Sequence, residues 1–78
     1  MSKHAGQQLF NRWLADIVGE DGILKQKFRE LTDLLSRFRY GDGELEILRK
    51  QVLLVVEEEN VRRKQLALKR AAYKKVAA

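Results

Sequence analysis

The stretch VLLVVEEENVRRKQLALKR, residues 52–70, decides the fold class. Its opening run, Val52 to Val56, would by itself suit a buried strand. Its continuation does not, because Glu57-Glu58-Glu59 and the segment Arg62 to Leu68 are made of good helix formers. Glu58 with Arg62 and Glu59 with Arg63 also stand at i,i+4 in the favourable order. Neither Gly nor Pro occurs from Glu44 to the end, so the pattern predicts one long helix over 44–75. On a helical wheel Ile47, Leu54, Val61, Leu68 and Ala72 share one side. Leu48, Val55, Leu66 and Tyr73 form a second row, and Leu45, Val52 and Val56 form a third in the first half only. The apolar arc is therefore wide over 45–56 and narrower beyond 61.

Upstream, two glycine clusters divide the chain. Gly19-Glu20-Asp21-Gly22 and Gly41-Asp42-Gly43 read as helix stops at Gly19 and Gly41, with Asp21 and Asp42 as N-caps of the next helices. Asp-Gly hairpins are the rival reading, but the flanks lack period-two strands. The first segment places Leu9, Phe10, Trp13, Leu14, Ile17 and Val18 on one stripe and predicts a helix over 6–18. The second places Leu24, Phe28, Leu31, Leu35 and Phe38 at steps of four and three. That heptad seam predicts a single helix over 22–40, facing Leu45, Leu48, Val52 and Val55, with Trp13 and Leu14 closing the cluster.

The expected architecture is all-α: a three-helix chain, two shorter helices packed on a long C-terminal helix, one small domain over 1–78 with a flexible N-terminus at 1–5. The long helix would span about 45–50 Å and its partner about 27 Å. The far half then lacks an intrachain cover, and a second copy of the chain is the simplest one, making a coiled-coil-like homodimer. Leu54, Val61, Leu66, Leu68 and Tyr73 are the residues expected at that dimer or partner interface.

Composition narrows the function. With 78 residues, 45% hydrophobic and 35% charged, the chain suits a small soluble helical protein. It has no cysteine, which excludes disulfides and thiolate metal sites. The longest apolar run is far short of a transmembrane segment, and the N-terminal residues have no apolar signal core, so a cytoplasmic location is expected. His4 is the lone histidine and has no companion ligand, so no metal or cofactor is expected. No nucleophile stands beside a base and no glycine-rich phosphate loop occurs, which reads as a non-enzyme.

Charge is the most informative signal. The basic C-terminal helix, 61–78, carries Arg62, Arg63, Lys64, Lys69, Arg70, Lys74 and Lys75 and no acid, more than the whole net charge of +5. Macrodipole complementation needs two or three cations in a last turn, not seven over several turns. An acidic partner is the leading expectation, nucleic acid first, through generic phosphate contacts. The alternative is a protein-binding adaptor or inhibitor that grips a partner protein through apolar helix faces, without nucleic acid. The order Glu57-Glu58-Glu59, Asn60-Val61, Arg62-Arg63-Lys64 is an acidic–basic palindrome. Two antiparallel copies crossing at its midpoint would set each acidic triplet against the other's basic triplet.

Overall fold

The computed structural model describes the backbone of residues 5–77 and the side chains of residues 6–73. Among the described residues four helices follow one another: α1 Ala5–Val18, α2 Gly22–Lys27, α3 Arg29–Arg37 and α4 Asp42–Ala77. No strand occurs among the described residues. Helices α1 to α3 form a cap on the first part of α4, which extends the molecule to 62 × 20 × 18 Å. His4 lies outside the described residues.

The first glycine cluster behaves as its chemistry predicts. Gly19 takes φ +51°, a conformation that favours glycine, and its N–H donates to Ala15 O at 2.9 Å to close α1. Asp21 then caps α2, its carboxylate accepting from the N–H groups of Ile23 and Leu24 at 3.1 Å each.

The single helix expected over 22–40 is two helices. The chain turns at Phe28, whose φ of −100° and ψ of 7° leave the helical region. Phe28 O accepts both the N–H and the hydroxyl of Thr32, each at 2.9 Å. A threonine bonding back one turn bends a helix, and here it stabilises the new direction. The bend keeps Leu24, Phe28 and Leu35 buried in one cluster.

The seam also loses its last member. Helix α3 ends at Arg37, and Phe38 is extended (φ −120°, ψ 154°) and 54% exposed rather than in the core. The linker behind it is held by a residue the apolar pattern passes over, Gln7 of α1. Its Nε2 donates to Leu35 O at 2.8 Å and Phe38 O at 2.7 Å, and its Oε1 accepts Tyr40 N–H at 2.8 Å. A buried amide is tolerated because the backbone satisfies both its ends.

Gly41 opens α4 instead of stopping the helix before it. Its carbonyl accepts Leu45 N–H at 3.0 Å, and its own N–H donates to Glu44 Oε1 at 3.3 Å, the one half of a capping box that a glycine can make. Asp42 is therefore a first-turn residue, not the N-cap, and its charge complements the helix dipole there. Its side chain also lies close to α1: a Cβ on Gly6 would stand 2.7 Å from Asp42 Oδ1.

The core centres on α1, which packs on both α3 and α4. Phe10 is fully buried, and Leu14, Leu24, Phe28, Leu35, Leu45 and Val52 close round it. Trp13 packs against this cluster from its edge, 5.4 Å from the Phe10 ring between centroids. Its outer face carries the Arg49 guanidinium at 4.8 Å, a cation–π contact that ties α1 to α4. Leu9, expected on the stripe, faces outward.

Candidate functional site

The face of α4 turned to the cap runs Leu45, Val52, Val56, Glu59, Arg63, at steps of seven, four, three and four. It begins apolar and ends charged. Glu59 is only 2% exposed, and its carboxylate accepts from Arg62 Nε at 3.0 Å and Arg63 Nε at 3.3 Å. Arg63 reaches further, to the N-cap of α2. Its guanidinium forks onto Asp21, Nη1 to Oδ2 at 2.7 Å and Nη2 to Oδ1 at 2.9 Å. Asp21 thus caps one helix and anchors another.

These contacts shift both carboxylates. The Arg63 hydrogen bond, helped by the Leu24 and Ile23 N–H groups, lowers Asp21 to about 2. The Arg62 hydrogen bond, with Arg63 behind it, lowers Glu59 to about 2 against the opposing pull of desolvation. Both arginines are raised in return, Arg62 by Glu59 and Arg63 chiefly by Asp21.

The consequence for the basic helix is direct. Arg62 and Arg63, the first two of the seven expected partner contacts, are engaged within the chain. Lys64, Lys69 and Arg70 are exposed and make no ion pair among the described residues. Lys74 and Lys75 continue α4, and their side chains lie outside the described residues. The palindrome is broken by the same network, since Glu59 pairs with its own chain's arginines and faces the cap. Arg62 also pairs with Glu59 at i,i+3 rather than with Glu58, which leaves Glu57 and Glu58 exposed and without an ion pair among the described residues.

On the other side of α4 lies an uncovered apolar row. Ile47, Leu54, Val61 and Leu68 are 60%, 62%, 44% and 66% exposed. They recur every seven residues, and Leu54 stands about 200° round the helix from buried Val52. The expected interface residues Leu54, Val61 and Leu68 share this row, while Leu66 and Tyr73, also exposed, lie about a third of a turn away. The structure therefore divides the five into two groups.

A cleft of about 570 Å³ lies between α1 and the α2–α3 bend. Leu14, Val18, Phe28 and Leu35 give it an apolar floor, and Lys25 and Arg29 are its titratable groups. Its hydroxyls, Thr32 and Ser36, already donate to Phe28 O and Asp33 O. No group of three or more potential metal ligands occurs among the described residues, and no described helix is long and apolar enough to cross a membrane.

Gln7, Glu59 and Asp21 organise this surface, and the apolar pattern marks none of them. Asp21 was legible as a cap but not as the anchor of Arg63. Comparison of the chain with protein-family models, with curated proteins and with solved structures finds no match.

Proposed function

We propose that the protein is a small non-enzymatic binding protein that acts as a homodimer and offers the far end of α4 to an acidic partner, nucleic acid first. The observation that carries this reading is the arm beyond Arg63. Residues 64–77 hold five cations and no acid, and every described side chain from Lys64 to Tyr73 is exposed. Cations held this way favour phosphate contacts of generic kind over base reading. Arg62 and Arg63 support the arm's base instead of contacting the partner, since each is already paired.

Binding to duplex DNA and to RNA across a salt series tests the reading. About four phosphate contacts give a log K against log salt slope of about −3.5. Lys69→Glu with Arg70→Glu should flatten it by about 2. No binding at about 50 mM salt with the fold intact would reject it.

The outer apolar row favours a second reading, a protein-binding adaptor or inhibitor in which a foreign helix occupies that row. A chain that sediments as a 9.1 kDa monomer and binds no nucleic acid would move this reading to first place.

A further inference from the structure

We infer that two copies of the chain pair their α4 helices antiparallel across the outer row, with the two-fold axis at Val61. This rests on the homodimer reading above and adds the face, the orientation and the register. The face is set by the packing. The cap occupies the Leu45–Val52–Glu59 side of α4, so a second helix on the Ile47–Leu54–Val61–Leu68 side meets no cap of its own chain. A strict seven-residue recurrence drifts only about 20° per step, so one straight neighbour follows the row for its whole length.

Charge sets the orientation. Residues 42–59 of α4 carry six acids and two bases, and residues 61–78 carry seven bases and no acid. A parallel pair sets Glu57 and Glu58 against their own copies and Lys64 against Lys64. An antiparallel pair sets the acid-rich half of each helix beside the base-rich half of the other, over an overlap about 50 Å long.

The same groups fix the register. An axis at Val61 puts Val61 on Val61, Leu54 on the other copy's Leu68, and Glu57 on the same flank of the row as the other copy's Lys64, twice over by symmetry. Glu57 and Lys64 are both exposed and make no ion pair among the described residues. The competing axis, between Glu57 and Glu58, joins Leu54 to Val61 and Ile47 to Leu68. It sets the two Glu57 carboxylates, and likewise the two Glu58 carboxylates, against each other at the centre and brings Lys64 to the flank of the other copy's Lys50, so like charges repel uncompensated.

The absence of native cysteine makes the geometry readable by disulfide mapping on the full chain. Sedimentation at micromolar concentration should first give twice 9.1 kDa. Val61→Cys should then oxidise to a covalent dimer. Leu54→Cys alone and Leu68→Cys alone should not, while their mixture should give the mixed dimer. These positions are exposed, so circular dichroism should show the parent's helicity. Lys64→Glu should weaken the dimer about tenfold or more, and Glu57→Lys added to it should restore the dimer. A monomer overturns the homodimer reading and this inference together. A dimer in which Leu54→Cys joins itself is parallel or has its axis at Leu54, and one in which Leu54→Cys joins Val61→Cys has its axis between Glu57 and Glu58; each of these overturns this inference and leaves the homodimer standing.

Discussion

The two parts of α4 are built from similar residues and differ in their neighbours. Up to Arg63, every third or fourth residue meets the cap, and the face so formed passes from Leu45 and Val52 to the Glu59–Arg63 ion pairs. From Lys64 to Tyr73 every described side chain is exposed. The boundary is an electrostatic pin: Asp21, at the start of α2, holds Arg63 at 2.7 Å. A hydrophobic end to the interface would leave the cap's last turn free to slide along α4. A bidentate ion pair admits one position, at the cost of a buried carboxylate that needs two arginines. The comparison separates residues that specify the fold from residues left free for a partner.

The largest test falls on the covered part. Phe10 has no exposed surface and touches the cluster that joins all the helices. Phe10→Ala should cost about 3–5 kcal/mol, close to the whole stability of a domain this size. Urea unfolding followed by circular dichroism checks it. A loss below about 1 kcal/mol would show that α1 is not the centre of the core.

Gln7→Ala should come next. It strands Leu35 O, Phe38 O and Tyr40 N in a partly closed site, at about 1–3 kcal/mol. A loss within about 0.5 kcal/mol would show that water replaces the amide at no cost. The residue also shows what was legible in the sequence. The apolar pattern places the stripe of α1 on Leu9, Phe10, Trp13 and Leu14, whereas the buried line is Gln7, Phe10, Leu14, at steps of three and four. Periodicity located the helix and could not orient it, because polar Gln7 took a core position that exposed Leu9 did not. The same cause hid Glu59. Helix α4, the Gly19 stop and the Asp21 cap were legible because each rests on local chemistry. The Phe28 bend was not, since it depends on a cluster assembled from distant segments. At the candidate site the exposed row was legible from its spacing, while the capture of Arg62 and Arg63 required knowing where Asp21 lies.

Acid should loosen the pin. Asp21 and Glu59 are lowered from 3.8 and 4.5 to about 2 in the folded chain. A carboxylate lowered on folding adds stability above its unfolded pKa and loses it as pH falls through the folded value. That contribution is whole above about pH 4.5 and gone below about pH 2. Melting temperature against pH should fall across that window. Arg63→Gln should flatten the fall, because it removes the largest cause of the Asp21 shift and a secondary cause at Glu59. An unchanged acid limb in that variant would place the cap's anchor elsewhere.

Gly43 offers a smaller change of opposite sign. It lies in the first turn of α4, and nothing comes within 4 Å of a Cβ built there. Gly43→Ala should raise stability by about 0.4–1 kcal/mol, chiefly by restricting the unfolded chain. Destabilisation in a thermal melt would mean that the first turn needs glycine's freedom.

The smallest effect on stability is expected in the arm, and it sharpens the contrast most. Lys69 and Arg70 are exposed and make no ion pair among the described residues. Reversing both to glutamate should move the unfolding free energy by less than about 0.5 kcal/mol. Helix content should hold, because glutamate is as good a helix former as the residues it replaces. Affinity for nucleic acid should fall and its salt slope should flatten, since two phosphate contacts would become repulsions. Measuring both properties on one variant separates the two parts of α4. A double reversal that destabilises the monomeric fold by more than about 1 kcal/mol would show that the arm belongs to the cap's cooperative unit. A reversal that leaves both stability and binding unchanged would move the acidic partner's contacts off Lys69 and Arg70.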